Sequence, residues 1–163
     1  MADHTEEKIF LARVAEQAER FEDMVSYLGE VLDTKGGTVN ADERNLLSVA
    51  FKNLISSQRS GIRTISAIEQ NKKYEKYGPA LGEYKQKIED ILYANCENIM
   101  NIIKQDILTK AEDQESKAFF LKMIGDYCRY IAENAKGDRL EKCKQEALKS
   151  YNEAYIISQE HLG

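Results

Sequence analysis

The 163-residue chain has no tryptophan, one proline (Pro79) and two histidines, His4 and His161, one near each end. A single proline leaves long stretches free to stay helical, because proline removes a backbone donor and clashes with the preceding turn. With both histidines in end segments that fray, and no serine–histidine or cysteine–histidine arrangement, nothing is set up as a base or nucleophile for turnover. Cysteines are few: Cys96, Cys128 and Cys143 form no C-x-x-C pair and cannot all be bridged, which fits buried thiols in a reducing compartment. Metal-ligand spacings are missing, as is a glycine-rich phosphate loop ahead of a helix, so no metal and no other cofactor is expected. No apolar run reaches the ~20 residues of a membrane span, and the first ten residues are acidic and polar, unlike a secretory signal. The expectation is a cytoplasmic protein that is not an enzyme.

Negative charge dominates, with 28 acidic against 23 basic side chains and a net charge of −5. Neither nucleic acid nor an anionic membrane attracts such a surface as a whole, so neither is an expected partner. Acid pairs such as Glu89–Asp90 and Glu112–Asp113 read as solvated surface. One absence is local and runs the other way. From Asn45 to Ile68 there is no aspartate or glutamate, where the average density would place about four. The same stretch carries Lys52, Arg59 and Arg63. Spaced by seven and four, the three fall within about 40° of one another on a helix, and none has an acid three or four residues away. The alternatives are an anion to bind or a carboxylate on a neighbouring helix.

The periodicity is helical nearly throughout. Apolar residues recur at helical spacing from Lys8 to about Asp33, with a break near Arg20–Asp23 that makes two short helices. Lys35-Gly-Gly-Thr38 reads as a turn, and Asn40-x-x-Glu43 as an N-cap with its reciprocal acid, opening a long helix. Gly78–Pro79 punctuates the chain, and a second long helix is predicted from about Leu81 to Leu108. After a polar loop from Thr109 to Asp113, a helix runs from Ser116 to Ala135 and is closed by Gly137. Asp138-x-x-Glu141 caps the last helix, which runs to about Glu160. Short connections between six helices make an antiparallel all-α array.

A second group of cations lies on the fifth helix. Lys122 and Arg129 are seven apart, hence on one face, and Tyr130 adjoins Arg129. Glu133 is four residues beyond Arg129, so an ordinary ion pair on a solvated face competes with a binding role there. If the two cationic faces meet, they suit a phosphate ester. It carries nearly two charges and three acceptor oxygens, which two guanidinium forks, an ammonium and a phenol can satisfy.

Several segments carry a family resemblance. Arg44-Asn-Leu-Leu-Ser-Val-Ala-Phe-Lys-Asn53 resembles a motif of 14-3-3 proteins, with Phe51 where tyrosine is usual. Ala15-Glu-Gln-Ala-Glu-Arg20, Ser66-Ala-Ile-Glu-Gln70 and Glu115-Ser-Lys-Ala-Phe119 follow in the order of that family. Gly125-Asp-Tyr-Cys-Arg-Tyr-Ile-Ala-Glu133 is similar to its fifth helix, with Cys128 for a tyrosine. The matches run from about Lys8 to Ser158.

The resemblance implies a dimeric adaptor that binds phosphoserine or phosphothreonine segments of other proteins in signalling. Its phosphate ligands fall on Lys52, Arg59, Arg129 and Tyr130, with Arg63 and Lys122 at basic positions bordering the pocket. Its homodimer interface, first helix against the partner's third and fourth, falls on Val14, Ala18, Arg20, Asp23, Ile65, Tyr84, Lys87 and Ile91. Ile91 stands where a glutamate usually pairs with the arginine matched by Arg20, and Gly61 at a common serine position. The family fold has nine helices, and this sequence ends after the region matching the sixth. Residues 1–163 are therefore expected to form a single, C-terminally incomplete domain, the N-terminal two-thirds of that fold. The apolar faces of the fifth and sixth helices (Phe120, Tyr127, Tyr151, Tyr155) are expected to be exposed. The alternative function is a fragment that keeps dimerisation and lacks a complete ligand groove.

Overall fold

The computed structural model describes residues 4–35 and 39–162, and among them there is no strand. Six α-helices follow one another: α1 (His4–Gln17), α2 (Phe21–Lys35), α3 (Ala41–Glu69), α4 (Gly78–Ile102), α5 (Gln114–Ala132) and α6 (Gly137–Leu162). A 3₁₀ turn at Lys72–Tyr77 leads into α4, and a π-helical segment at Ile103–Leu108 prolongs it. This is the all-α array expected from the apolar periodicity. The glycine turn after Lys35 lies outside the described residues.

The break between α1 and α2 is made by backbone geometry rather than composition. Glu19 takes φ 58°, and the amides of Glu19 and Arg20 bond back to the carbonyls of Glu16 and Ala15. That left-handed closure normally selects glycine or asparagine. At the start of α3, Asn40 Oδ1 accepts from the Glu43 amide at 2.9 Å, and Glu43 accepts from the Asn40 amide at 3.0 Å. Buried Glu43 also takes the Lys35 ammonium at 2.6 and 2.8 Å, tying the end of α2 to the head of α3.

Three boundaries differ from the sequence reading. Pro79 sits in the first turn of α4, where its missing donor costs nothing, so the helix begins at Gly78 rather than Leu81. Asp113 caps α5 by accepting from the Ser116 amide at 2.9 Å, so that helix starts at Gln114. It ends at Ala132, and Gly137, with φ +62°, opens α6 instead of closing α5, which puts Asp138 inside the first turn of α6.

The core is continuous across the helices, with Phe51, Leu92, Ile99, Ile103, Phe120, Ile124 and Ile131 all fully buried. Two acids expected on the surface serve the structure: Asp113 as the cap, and Glu89, buried and accepting from the Tyr93 hydroxyl at 3.2 Å. Burial first, and then the Glu89 carboxylate, push Tyr93 up to about 12. Cys96 and Cys128 are buried free thiols, each pushed up to about 12 by burial, and so are held as unreactive thiols.

Phe120 and Tyr127 are not exposed, contrary to expectation; both point into the core, and Tyr151 is half-buried. The exposed apolar residues of α6 are Leu148, Tyr155 and Ile156. α5 and α6 pack closely because Gly125 has no side chain: a Cβ there would lie 2.7 Å from the Tyr151 ring.

Candidate functional site: a cation-lined cleft between α3 and α5

Cross-helix contacts set the geometry. Arg44 of α3 reaches Ser116 of α5 at 3.4 Å and Glu115 at 3.7 Å. Phe51 meets Tyr127 edge-on at 6.5 Å, and Arg59 reaches Glu133 at 3.2 Å. Rising numbers on one helix meet rising numbers on the other, so α3 and α5 run in the same direction. The cleft between them, about 230 Å³, is lined by Ser48 and Lys52 from α3 and by Phe119, Lys122, Met123, Asp126, Tyr127 and Tyr130 from α5. Phe119 and Lys122 also line a second cleft of about 670 Å³, which continues past Arg44 to Tyr155 and His161 on α6.

Tyr130 is the meeting point of the cations. The Arg59 guanidinium carbon lies 4.0 Å from the centre of its ring, and that of Arg129 lies 5.7 Å away. Such stacking draws on the negative face of the ring and holds a planar guanidinium in a fixed plane. Tyr130 in turn packs edge-on against Tyr127 at 5.4 Å, so a buried ring supports it. Arg129 is raised from its ordinary value, chiefly by the neighbouring Tyr151 and further by Tyr130 beside it.

The two open sequence alternatives resolve differently. Glu133 does not pair with Arg129; it reaches α3, where its two oxygens lie 3.2 and 3.5 Å from Arg59 Nη2. Of the three cations on α3, Arg59 therefore has a carboxylate partner on another helix. Lys52 and Arg63 are exposed, with no hydrogen bond or ion pair among the described residues. Lys122 lies 3.5 Å from Asp126, whose other oxygen accepts from the Tyr151 hydroxyl at 2.6 Å. Lys52, Lys122 and Tyr130 thus line one cleft, Arg59 and Arg129 join it through the Tyr130 ring on which both stack, and Arg63 lies one turn beyond Arg59 on α3.

Two residues at this place carried no role in the sequence reading. Arg44 stacks 5.3 Å from the Phe119 ring and lines the second, larger cleft. Asp126 bridges Lys122 to Tyr151. Arg44 falls just before the acid-free stretch and directly after Glu43, so its charge does not stand out in the sequence.

The residues matched to a dimer interface lie elsewhere, on α1 to α4. Val14, Tyr84 and Ile91 are exposed apolar side chains, and Phe10 joins them. Ala18 and Lys87 are exposed, and Arg20 and Asp23 pair with each other at 2.8 Å. Ile65 is only 6% exposed and packs inside the chain, so it does not belong to that exposed set. No helix among the described residues is long and apolar enough to cross a membrane.

Fold and cleft together define an all-α protein with an open, cation-lined groove floored by aromatic rings. Comparison with known proteins places it. The model of the 14-3-3 protein family matches residues 11–163. The chain is 40% identical to 14-3-3-like protein 2 of Caenorhabditis elegans, over 99% of this chain and 65% of that protein. It is 40% identical to 14-3-3 protein 3 of Entamoeba histolytica, over 100% of this chain and 69% of that protein. Against 14-3-3 protein zeta of Bombyx mori the identity is 40%, over 97% and 64%. The chain belongs to the 14-3-3 family and spans about two thirds of the length of these relatives.

Proposed function

We propose that this chain is a phosphoserine/phosphothreonine-binding adaptor that works by holding phosphorylated partner proteins and not by turnover. Lys52, Arg59, Arg129 and Tyr130 are the phosphate ligands, and Arg63 and Lys122 border them. The observation that carries this reading is the convergence of two guanidinium groups from different helices on one tyrosine ring, beside an unpaired lysine. Each charge-assisted bond to phosphate contributes about 1.5–3 kcal/mol, so such a cluster separates phosphorylated from unphosphorylated ligands by several powers of ten. Residues 1–163 act as one unit, in the cytoplasm, and pair as a homodimer through Val14, Ala18, Arg20, Asp23, Tyr84, Lys87 and Ile91, with Ile65 supporting that face from within.

The test is anisotropy of a fluorescent phosphoserine peptide beside its unphosphorylated twin, over a range of protein concentrations. Micromolar or tighter binding of the phosphorylated peptide alone is the expected result. Equal binding of both, or of neither, by the folded protein rejects the reading.

A second reading is favoured by the exposed apolar set Phe10, Val14, Tyr84 and Ile91: a chain that pairs with longer relatives and dilutes their ligand sites. Mixed dimers with a longer relative, accompanied by a loss of its ligand binding, support that alternative.

A further inference from the structure

We propose that Glu133 is the specificity-determining residue of the cation cluster around Tyr130, an internal competitor that an incoming anion must displace from Arg59. The proposal rests on the phosphate-binding reading above and names the residue that decides which anions enter.

The pairing between Arg59 and Glu133 is incomplete. Both carboxylate oxygens fall on a single nitrogen, Nη2, at 3.2 and 3.5 Å, while Arg59 Nε is buried without a partner. A guanidinium and a carboxylate at their strongest meet fork to fork, with two parallel N–H···O bonds. Here Tyr130 fixes the guanidinium plane at 4.0 Å, and Glu133, at the C-terminal end of α5, meets it end-on. Its side chain is 43% exposed, so on release it turns into water and leaves no buried charge behind. Asp126 on the same helix behaves differently, because the Tyr151 hydroxyl holds it at 2.6 Å whether or not Lys122 stays. Glu133 has no second partner among the described residues, which makes it the displaceable carboxylate of the two.

The consequence is a charge threshold. An aspartate or glutamate in a ligand offers one charge and two oxygens, the same as Glu133, yet must compete with a carboxylate tethered beside Arg59 at high effective concentration. A phosphomonoester offers nearly two charges and three oxygens, enough to take Nη2 from Glu133 and still reach a neighbouring cation. The chain then accepts phosphoserine and refuses the acidic residues that imitate it.

The test compares wild type with Glu133→Gln and Glu133→Asp against a phosphoserine peptide and a twin carrying glutamate at that position. Glu133→Gln is expected to bind both at least fivefold tighter and to bring the glutamate peptide into the measurable range. Glu133→Asp keeps the charge but shortens the reach, and should fall between the two. In parallel, the Arg59 Nε–H resonance is followed by NMR during titration with inorganic phosphate, and should half-saturate at a lower concentration in Glu133→Gln. Unchanged or weaker affinity in Glu133→Gln, with helical circular dichroism intact, overturns the proposal and makes Glu133 a support for Arg59. An Arg59 signal that ignores phosphate in both proteins overturns it as well. If phosphate moves Arg59 more readily in the variant while neither protein binds phosphopeptide, the competition stands and the adaptor reading falls. If phosphopeptide binds and the variant gains nothing, the reverse holds.

Discussion

Lys52 is the residue on which the cleft can be tested most cleanly. It is exposed, lines the cleft with Tyr130, and has no hydrogen-bond or ion-pair partner among the described residues. Lys52→Glu therefore breaks no internal contact and should leave the thermal midpoint within a degree or two, since surface changes of this kind stay within about 0.5 kcal/mol. Phosphopeptide affinity should fall by about a hundredfold or more, because one charge-assisted bond is lost and a repulsive charge takes its place. Anisotropy beside a melting curve reads both quantities, and unchanged affinity in the folded variant removes Lys52 from the ligand set. That Lys52 stands unpaired was legible in the sequence from what surrounds it, 24 residues without an acid. The fate of Arg59 was not, because Glu133 lies 74 positions away and its nearer candidate, Arg129, is the one helix periodicity suggests. Local spacing tells which side chains share a face; it does not tell which face another helix brings against it.

At the scale of elements, helix starts were legible because caps are short and chemically specific. Asn40 and Glu43 form the predicted reciprocal pair, but buried Glu43 also binds Lys35 and so holds α2 to α3. Glu43→Gln keeps the reciprocal cap and loses the charge, while Glu43→Ala loses both. Urea unfolding should show a loss of about 1 kcal/mol for the first and about 2–3 kcal/mol for the second. Equal losses would mean that the charge contributes nothing. Asp113 is the corresponding residue for α5. Burial acts to raise its carboxyl, but the bonds from the Ser116 amide and hydroxyl and the nearby Arg44 outweigh that, and it lies below its ordinary value. A group depressed in the folded state stabilises fully above its unfolded value, near 3.8, and that contribution is lost as pH falls through the lower folded value. Asp113→Asn, which still accepts the amide, should therefore cost stability at pH 7 and narrow its gap to wild type below about pH 4. A gap that stays constant with pH would assign the cap no charge component. The α1–α2 break was legible only roughly, since Glu19 adopts a backbone that glycine usually supplies and nothing in its side chain announces it.

Over the whole molecule, which apolar face is buried was the least legible property. Helical periodicity put Phe120 and Tyr155 on apolar stripes alike, yet Phe120 is buried between helices and Tyr155 faces solvent, because only tertiary packing chooses between them. The same uncertainty applies to α1 and α4, whose exposed Phe10, Val14, Tyr84 and Ile91 are where the homodimer is proposed to form. Charge should then make the two proposed processes, pairing and phosphopeptide binding, respond oppositely to salt. Two copies, each with a net charge of −5, repel one another, and Arg20 is already satisfied by Asp23 within its own chain, with Ile91 apolar. Association at this face should thus be driven by apolar burial and strengthen, or hold constant, as added salt shortens the screening length from about 10 Å at 0.1 M to about 3 Å at 1 M. The proposed phosphopeptide binding would rest on ionic contacts at an open cleft and should weaken over the same range. Sedimentation velocity and anisotropy on one salt series separate the two. A dimer that falls apart with salt would mean that ion pairs hold it, and would point away from Ile91 toward Lys87, the exposed cation on the same helix, as its anchor.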